Sequence, residues 1–453
     1  MLNINTSAFH DYDIRGIYPS EINEEFYYHL GKALALYFKK GPIAVGYDAR
    51  NSSPSLFKNL IQGITDYGVN VVDLGMISTE IHNFASGKYD FKANIIVSAS
   101  HNPPEYNGAK ILQQGVKALH GSWGLPEIKE FMNQETPKAA KPGKVSKQDI
   151  FEDWLNHALS FIDQKKLKNL KVVVDAGNGM GGPSWLAIKE RLPIEIVPLY
   201  LNPDGNFPNH IADPLKDENT KDLIEKVKEV KADLGIALDG DADRIFFIDE
   251  TGRKVAGTIT TAIFCDYLLQ KQKGYYLYNA ICGRIVKETI VKNGGKPVRT
   301  RVGHSFIKAK MQELSAIFCG EHSGHFFFGS NYGAESSLIA GLIMLEAVSV
   351  SHQSMSSLVA KFDSYPNSGE INFKVDSVSK VQQAIKDYYQ TLAESIDEID
   401  GVSVWFKDYW FNVRGSKTEP LLRLNLEADN QALLQDKVNE VIKFIESLGG
   451  KRA

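Results

Sequence analysis

Four short loops of this chain concentrate groups that do chemistry. The run Asp239-Gly-Asp241-Ala-Asp243-Arg244 sets three carboxylates at alternate positions, with a guanidinium next in line. Carboxylates brought together repel one another unless a cation lies among them, so the run reads as an oxygen site for a hard divalent metal, Mg²⁺ above all. A helix–loop–helix calcium site is the rival, and Glu250 even falls at its twelfth position. However, Arg244 stands where that loop needs glycine, and both flanks, Leu234–Leu238 and residues 245–248, are apolar strand segments. A solvated acidic turn is the plain alternative.

The second loop, Ser98-Ala-Ser100-His101-Asn102-Pro103, followed by Asn107-Gly-Ala-Lys110, puts a hydroxyl beside an imidazole, as a nucleophile with its base requires. Taken alone, a turn capped by Ser and Asn ahead of a proline explains it as well. The third loop, Gly320-Glu321-His322-Ser323-Gly324-His325, offers a carboxylate, a hydroxyl and imidazoles between glycines, able to hydrogen-bond several sugar hydroxyls at once. Upstream, Arg301-Val302-Gly303-His304 adds another imidazole, whereas His29, His82 and His157 read as core residues. The fourth, Arg414-Gly415-Ser416-Lys417-Thr418-Glu-Pro with Arg423 beyond it, groups two guanidiniums, an ammonium, two hydroxyls and glycine amides. A phosphate dianion asks for that set; a solvated turn is the alternative.

Three repeated segments must position the first three loops. Ile43-Ala-Val-Gly-Tyr-Asp48-Ala-Arg-Asn51 runs into Pro54-Ser55-Leu56, Val172-Val-Val-Asp175-Ala-Gly-Asn178 runs into Pro183-Ser184-Trp185, and Tyr275-Tyr-Leu-Tyr-Asn279-Ala280 is a weaker third copy. Each reads as a buried strand, then Asp/Asn-Ala, then a turn opening a helix. Further along each copy, a second short apolar strand (93–97, 232–238, 316–319) ends in one of the loops. Strands alternating with helices imply parallel α/β units, whose ligands sit beyond the carboxyl ends of the strands. Three such units would each contribute one loop to a shared cleft.

The 453 residues suffice for several domains and their cores. The tract 136–147 reads as a linker, the polar turn 249–252 as a division, and 363–369 as the entry to a last unit. That last unit alternates strand signals at 371–375, 402–406, 410–413 and 421–426 with helices over 379–397 and 430–447, an α+β pattern with an antiparallel sheet. The expected domains are therefore 1–147, 148–251, 252–364 and 365–453. With 51 Lys+Arg against 55 Asp+Glu, net −4, the chain lacks the basic excess of a nucleic-acid binder. Three cysteines without a CxxC pair fit a reducing cytoplasm, and neither a secretory leader nor an apolar run of membrane-spanning length stands in the sequence.

In order along the chain, DIRG (13–16), SASHNP, DGDADR, GEHSGH and RGSKTEP resemble one family: the α-D-phosphohexomutases, in their phosphomannomutase/phosphoglucomutase branch. The resemblance implies three mixed-sheet α/β domains and a C-terminal α+β domain in a heart-shaped arrangement around a central cleft. It implies that Ser100 is a phosphoserine in the active enzyme, and that Asp239, Asp241 and Asp243 hold one Mg²⁺ completed by a phosphoserine oxygen. Glu321 and Ser323 match residues on the sugar's 3- and 4-hydroxyls. Arg414, Gly415, Ser416, Lys417, Thr418 and Arg423 match the grip on the non-reacting phosphate. Arg15, His101, Lys110 and His325 match the basic and acid–base surround, with Tyr12, Arg244, Val302, Gly303 and His304 on the substrate side. The implied reaction moves a phosphoryl group between the 1- and 6-positions of a hexose, of mannose and glucose foremost, through a hexose 1,6-bisphosphate that also serves as activator. His325 is the expected base and Lys110 the acid.

Three residues depart from the family pattern. Lys417 stands where many relatives have Asn, His322 replaces a usual Met (Gln in glucosamine-phosphate mutases), and Ile281 precedes Cys282 where many have Lys. A phosphoglucosamine mutase is thereby a weaker alternative. A Mg²⁺-dependent sugar phosphatase is the alternative from another class, against which the separate phosphate grip stands, since a hydrolase does not rebind a flipped intermediate. The expected partner is a phosphosugar, without nucleic acid or membrane, for a cytoplasmic monomer or weak homodimer.

Overall fold

Runs of Val, Ile and Leu bounded by turn residues form strands that are buried on both faces. In the computed structural model, which describes residues 4–10, 13–416 and 421–453, Ile43–Tyr47 pairs in parallel with both Val71–Met76 and Ala93–Val97. The chain leaves Ala93–Val97 through the loop at 98–105 and returns antiparallel as Tyr106–Gln113, against which Ile14–Ile17 also runs antiparallel. This first sheet packs on the helices Glu24–Phe38 and Ser53–Asp66 through a core that includes Leu30, Leu34, Leu56, Leu60 and Ile64.

The second sheet repeats the plan. Lys171–Asp175 lies parallel to Glu195–Leu199 and to Leu234–Leu238, and Ile245–Asp249 returns antiparallel with Leu238 opposite Ile245. The acidic loop is the connection of that return. In the third repeat Tyr275–Asn279 and Lys296–Thr300 pair in parallel, while Phe326–Phe328 and Ala334–Glu335 pair antiparallel. All three repeats are thus mixed, and each has its chemistry-bearing loop at a strand's carboxyl end.

The last stretch forms an antiparallel sheet ordered Ser395–Asp397, Val402–Trp405, Tyr409–Gly415, Leu422–Ala428, Asn367–Lys374, Lys451–Arg452. The helices Val378–Tyr389 and Gln431–Ser447 cover it through Ile385, Phe411, Leu424, Val441 and Ile445.

Some expected elements differ. The helix expected over 379–397 ends at Tyr389, and Ser395–Asp397 pairs with Val402–Trp405, because Ile396 packs on the C-terminal core only from a strand. The turn at 249–252, expected as a division, also closes a hairpin. Asp249 Oδ1 accepts hydrogen bonds from the Thr251 and Arg253 amides at 2.9 and 3.0 Å, and Lys254–Val255 extends the second sheet. Within the tract 136–147, Val145–Lys147 joins the first sheet beside Val71–Met76.

The chain divides into two compact units, residues 1–256, 308–318 and 323–358 in one and 257–307, 319–322 and 359–453 in the other, so the third repeat is shared. Side-chain contacts explain the division. In the first unit, the Glu80 carboxylate caps the helix Ser337–Ser351, accepting from the Leu338 amide at 3.0 Å, and Lys308 Nζ lies 3.1 Å from Glu335 Oε1. In the second, Arg284 pairs with Glu427 at 3.1 Å and Arg299 with Asp397 at 2.5 Å. Among the described residues no helix is long and apolar enough to cross a membrane.

Candidate functional site

The acidic loop shapes its own carboxylates. Asp239 Oδ1 accepts the backbone N–H groups of Asp243 and Arg244 at 3.0 and 3.1 Å, folding the turn back on its first residue. The three carboxylates each present an oxygen within 4.8 Å of the others, all buried. Gly240 lies between the first two, where a Cβ would come 2.5 Å from the Ser100 carbonyl oxygen, so only glycine lets the two loops meet.

Electrostatics in this cluster call for a cation. Burial and then the neighbouring Asp243 and Asp241 charges push Asp239 well above the usual carboxylate range. Lys110 Nζ meets part of the demand, lying 2.5 Å from Asp241 Oδ2 and 2.7 Å from Asp243 Oδ2. Burial works against its charge, but the two carboxylates outweigh burial and raise its pKa. Asp239 Oδ2 and Asp241 Oδ1 are buried and accept no hydrogen bond. Carboxylate oxygens without donors, converging in a water-poor site, fit a hard divalent ion.

Thr79, absent from the sequence expectations, secures Asp241 from the neighbouring domain. Its hydroxyl donates to Asp241 Oδ2, its backbone N–H donates to the Asp241 carbonyl at 2.9 Å, and Lys110 reaches its Oγ1 at 3.4 Å. Only Ser78, a helix cap before Thr79-Glu80, is legible locally; a contact 162 residues away leaves no local pattern.

Ser100 sits at the first turn after Ala93–Val97 with φ 54°, a left-handed conformation that costs a non-glycine residue about 1–2 kcal/mol. Its amide donates to Ser98 Oγ at 3.1 Å, and its hydroxyl lies 3.3 Å from His101 Nδ1. Burial, then the nearby Arg244 and Arg15 guanidiniums, hold His101 well below the ordinary imidazole range, hence neutral. Arg15 is aimed by Asp13 at 2.8 Å and donates to Asn102 Oδ1 at 2.6 Å, which ties it to the same loop.

The half of the sugar-type loop in this unit adds His325 and Ser323. His325 Nε2 accepts from Arg244 Nε at 3.3 Å and lies 3.2 Å from Asp243 Oδ1, while Nδ1 lies 3.2 Å from Ser323 Oγ. A guanidinium and a carboxylate thus meet at one ring nitrogen. Gly324 allows the loop to turn: its φ is +87°, and a Cβ there would meet the Phe246 ring at 2.6 Å.

The second unit carries the other cluster. Glu321 is buried and accepts from Asn279 Nδ2 at 3.2 Å, while Asn279 Oδ1 accepts from Cys282 Sγ at 3.1 Å, fixing the amide's orientation. His322 Nδ1 meets Thr258 Oγ1 at 2.9 Å; burial, then the Arg414 charge, push the imidazole down to about 4. Arg414 and Arg423 face one another across the pair Tyr409–Gly415 and Leu422–Ala428, and Glu370 holds both, with Oε2 at 3.1 Å from Arg414 Nη2 and Oε1 at 3.3 Å from Arg423 Nε. Gly415 ends its strand and the Ser416 amide donates to the Leu421 carbonyl at 2.8 Å. Val302 N–H donates to Asp400 Oδ2 at 3.3 Å, and Gly303 precedes the helix His304–Leu314. The sequence marked Asn279 only as the end of the third repeat strand, and Glu370 escaped it because it lies in an ordinary strand pattern. Tyr12, Lys417 and Thr418 lie outside the described residues. Ile281, one of the departures from the family pattern, is buried.

Comparison with known proteins agrees with this layout. Models of the phosphoglucomutase/phosphomannomutase alpha/beta/alpha domains I, II and III match residues 6–138, 152–252 and 256–365, and that of the C-terminal domain matches 370–444. A phosphomannomutase of Methanocaldococcus jannaschii is 39% identical over 97% of this chain and 98% of its own. One of Vibrio cholerae is 37% identical over 98% and 99%. A crystal structure of a phosphoglucomutase/phosphomannomutase family protein from Burkholderia thailandensis superposes with a TM-score of 0.90 at 29% identity, covering 100% of both chains.

Proposed function

The chain belongs to the phosphoglucomutase/phosphomannomutase family and is a mutase, and from that premise we propose that it interconverts the 1- and 6-phosphates of mannose and glucose through a phosphoserine at Ser100. The observation that carries this reading is the buried acidic triad with the Ser100 carbonyl packed against its Gly240. Asp239, Asp241 and Asp243, with an oxygen of the phosphorylated Ser100, would hold one Mg²⁺. The ion supplies Lewis-acid stabilisation of charge on the phosphoryl oxygens.

In the forward step a sugar hydroxyl oxygen bonds to the phosphorus of phosphoserine as the bond from phosphorus to Ser100 Oγ breaks. The hydroxyl proton passes to His325, and Lys110, held as an ammonium, supplies one to the departing Ser100 oxygen. The resulting hexose 1,6-bisphosphate turns over and returns its other phosphate to Ser100 with both protons reversed, so free bisphosphate also acts as the activator. Arg15 supports the reacting phosphate beside neutral His101. Arg414 and Arg423, with Gly415, Ser416, Lys417 and Thr418, grip the distal phosphate; Glu321 and Ser323 take the hydroxyls that both sugars share. Tyr12, Arg244 and Val302-Gly303-His304 complete the substrate surround. We assign these roles to domains at 1–147, 148–251, 252–364 and 365–453 of a cytoplasmic monomer or weak homodimer.

Glucose and mannose differ only at the 2-hydroxyl, and a site without a buried partner for the differing group discriminates weakly. The deciding experiment measures kcat/KM for mannose 1-phosphate, glucose 1-phosphate and glucosamine 1-phosphate on one preparation. The first two should agree within about a hundredfold, roughly 2.7 kcal/mol, with glucosamine phosphate behind both. Fastest turnover of glucosamine phosphate, or release of inorganic phosphate alone, would overturn the assignment.

A further inference from the structure

Arg50 is 1% exposed and lies on the turn after the first repeat strand, in none of the loops assigned above. Its guanidinium has five N–H donors, and all five are used. Nε donates to Asp48 Oδ2 at 3.2 Å. Nη1 donates to the carbonyls of Pro103 at 2.6 Å and Tyr106 at 3.0 Å. Nη2 donates to those of Ser100 at 2.8 Å and Asn102 at 2.6 Å.

Four of the five partners are therefore main-chain oxygens, three in the loop that carries Ser100 and the fourth on Tyr106, where that loop enters the next strand. A segment with four inward-facing carbonyls lacks an internal way to satisfy them, and one planar fork does so in a fixed geometry that an ammonium cannot copy. The fork is itself aimed. Asp48 takes its Nε and accepts the Arg50 amide and the Ser53 hydroxyl at 3.0 and 2.6 Å, while the Phe207 ring covers it with its centroid 5.2 Å away. Ser100 keeps a left-handed φ of 54° at the centre of this web, its carbonyl confined between Arg50 and Gly240 of the acidic loop. We infer that Arg50 is a positioning residue for phosphoryl transfer: it sets the backbone of the Ser100 loop, and so the placement of the phosphoryl group relative to the acidic triad, without touching substrate.

This inference rests on Ser100 being the phosphoryl carrier, and the test separates the two. Wild type, Arg50→Lys and Asp48→Asn would be compared in intact mass, in kcat and KM for glucose 1-phosphate with glucose 1,6-bisphosphate present, and in Mn²⁺ affinity by electron paramagnetic resonance. A misplacement of about 1 Å costs on the order of a hundredfold in rate, so Arg50→Lys should lose about that factor in kcat. Its KM and Mn²⁺ Kd should stay within about threefold, because neither the distal grip nor the metal ligands have changed. Asp48→Asn, nearly isosteric, should move kcat in the same direction by about five- to tenfold. Methylguanidinium should restore part of the lost kcat to Arg50→Ala. A folded Arg50→Lys with wild-type kcat, or one that loses Mn²⁺ affinity or KM with kcat intact, overturns the inference; should that variant not fold, Asp48→Asn decides on the same criterion. Wild type that never carries phosphate on Ser100 contradicts the carrier reading instead.

Discussion

Replacing Lys110 with methionine should move stability and metal affinity in opposite directions. The Lys110 ammonium lies 2.5 and 2.7 Å from two buried carboxylates, with its side chain 12% exposed. Removing one partner of a buried ion pair leaves uncompensated charge and costs about 3–5 kcal/mol, so the metal-free variant should unfold several degrees below wild type in EDTA. A divalent cation entering the wild-type site meets that ammonium, and a double and a single positive charge about 4 Å apart repel by about 8 kcal/mol at an effective dielectric near 20, twice the value for two unit charges. Since the flexible lysine swings largely aside, about a sixth to a third of this is recovered on its removal, tightening Mn²⁺ binding by about ten- to a hundredfold. Mutase activity should still fall, since the proposed proton donor is gone. Calorimetric titration with Mn²⁺ and thermal melts with and without EDTA provide the readouts. Unchanged metal-free stability together with unchanged or weaker Mn²⁺ binding would refute the placement of Lys110 between the two carboxylates.

Three other perturbations follow from the same geometry. Asp239→Asn keeps the acceptor for the Asp243 and Arg244 amides but sheds a buried charge; melts in EDTA should show a gain of about 1 kcal/mol or more, while Mn²⁺ affinity falls, and two changes of like sign would contradict the like-charge argument. Glu321→Ala should lower kcat/KM for mannose and glucose phosphates together, because it acts on hydroxyls they share, and sparing one sugar would show the sugar loop has been misread. Burial pushes His82 down to about 3, its Nε2 held 3.0 Å from the Asn94 carbonyl. The folded protein therefore binds fewer protons than the unfolded chain below the imidazole's ordinary pKa, near 6.5, and stability is full above that value and declines as pH falls toward 3. His82→Gln should flatten that decline in melts between pH 6.5 and 4; an unchanged slope would place the loss elsewhere.

The repeat was legible because each copy pairs an apolar strand with Asp/Asn-Ala and a turn; it pointed to parallel units, and the antiparallel strands that make each sheet mixed were implied only by the resemblance. The acidic loop was legible too, since alternate aspartates between strands have few explanations other than a cation site. What stayed hidden are the residues that position these groups from a distance. Thr79 and Arg50 reach Asp241 and the Ser100 loop across the fold, and a helix cap or a strand-end arginine does not announce such contacts in sequence. Glu370 is one polar residue in an alternating strand, yet it holds both arginines of the proposed phosphate grip. At 249–252 the turn was legible but not the short strand after it: only the pairing of Lys254–Val255 with the preceding strand shows that the sheet continues past the turn.

The carrier role of Ser100 is tested most directly by mass spectrometry of the purified protein before and after incubation with glucose 1,6-bisphosphate, with mutase activity followed on the same samples. The intact mass should show a fraction with one added phosphate, located on the peptide containing Ser100, rising with bisphosphate in step with activity. Ser100→Ala should lack both, its activity lower by several orders of magnitude. Full activity in wholly unphosphorylated protein, with no bisphosphate present, would contradict the account.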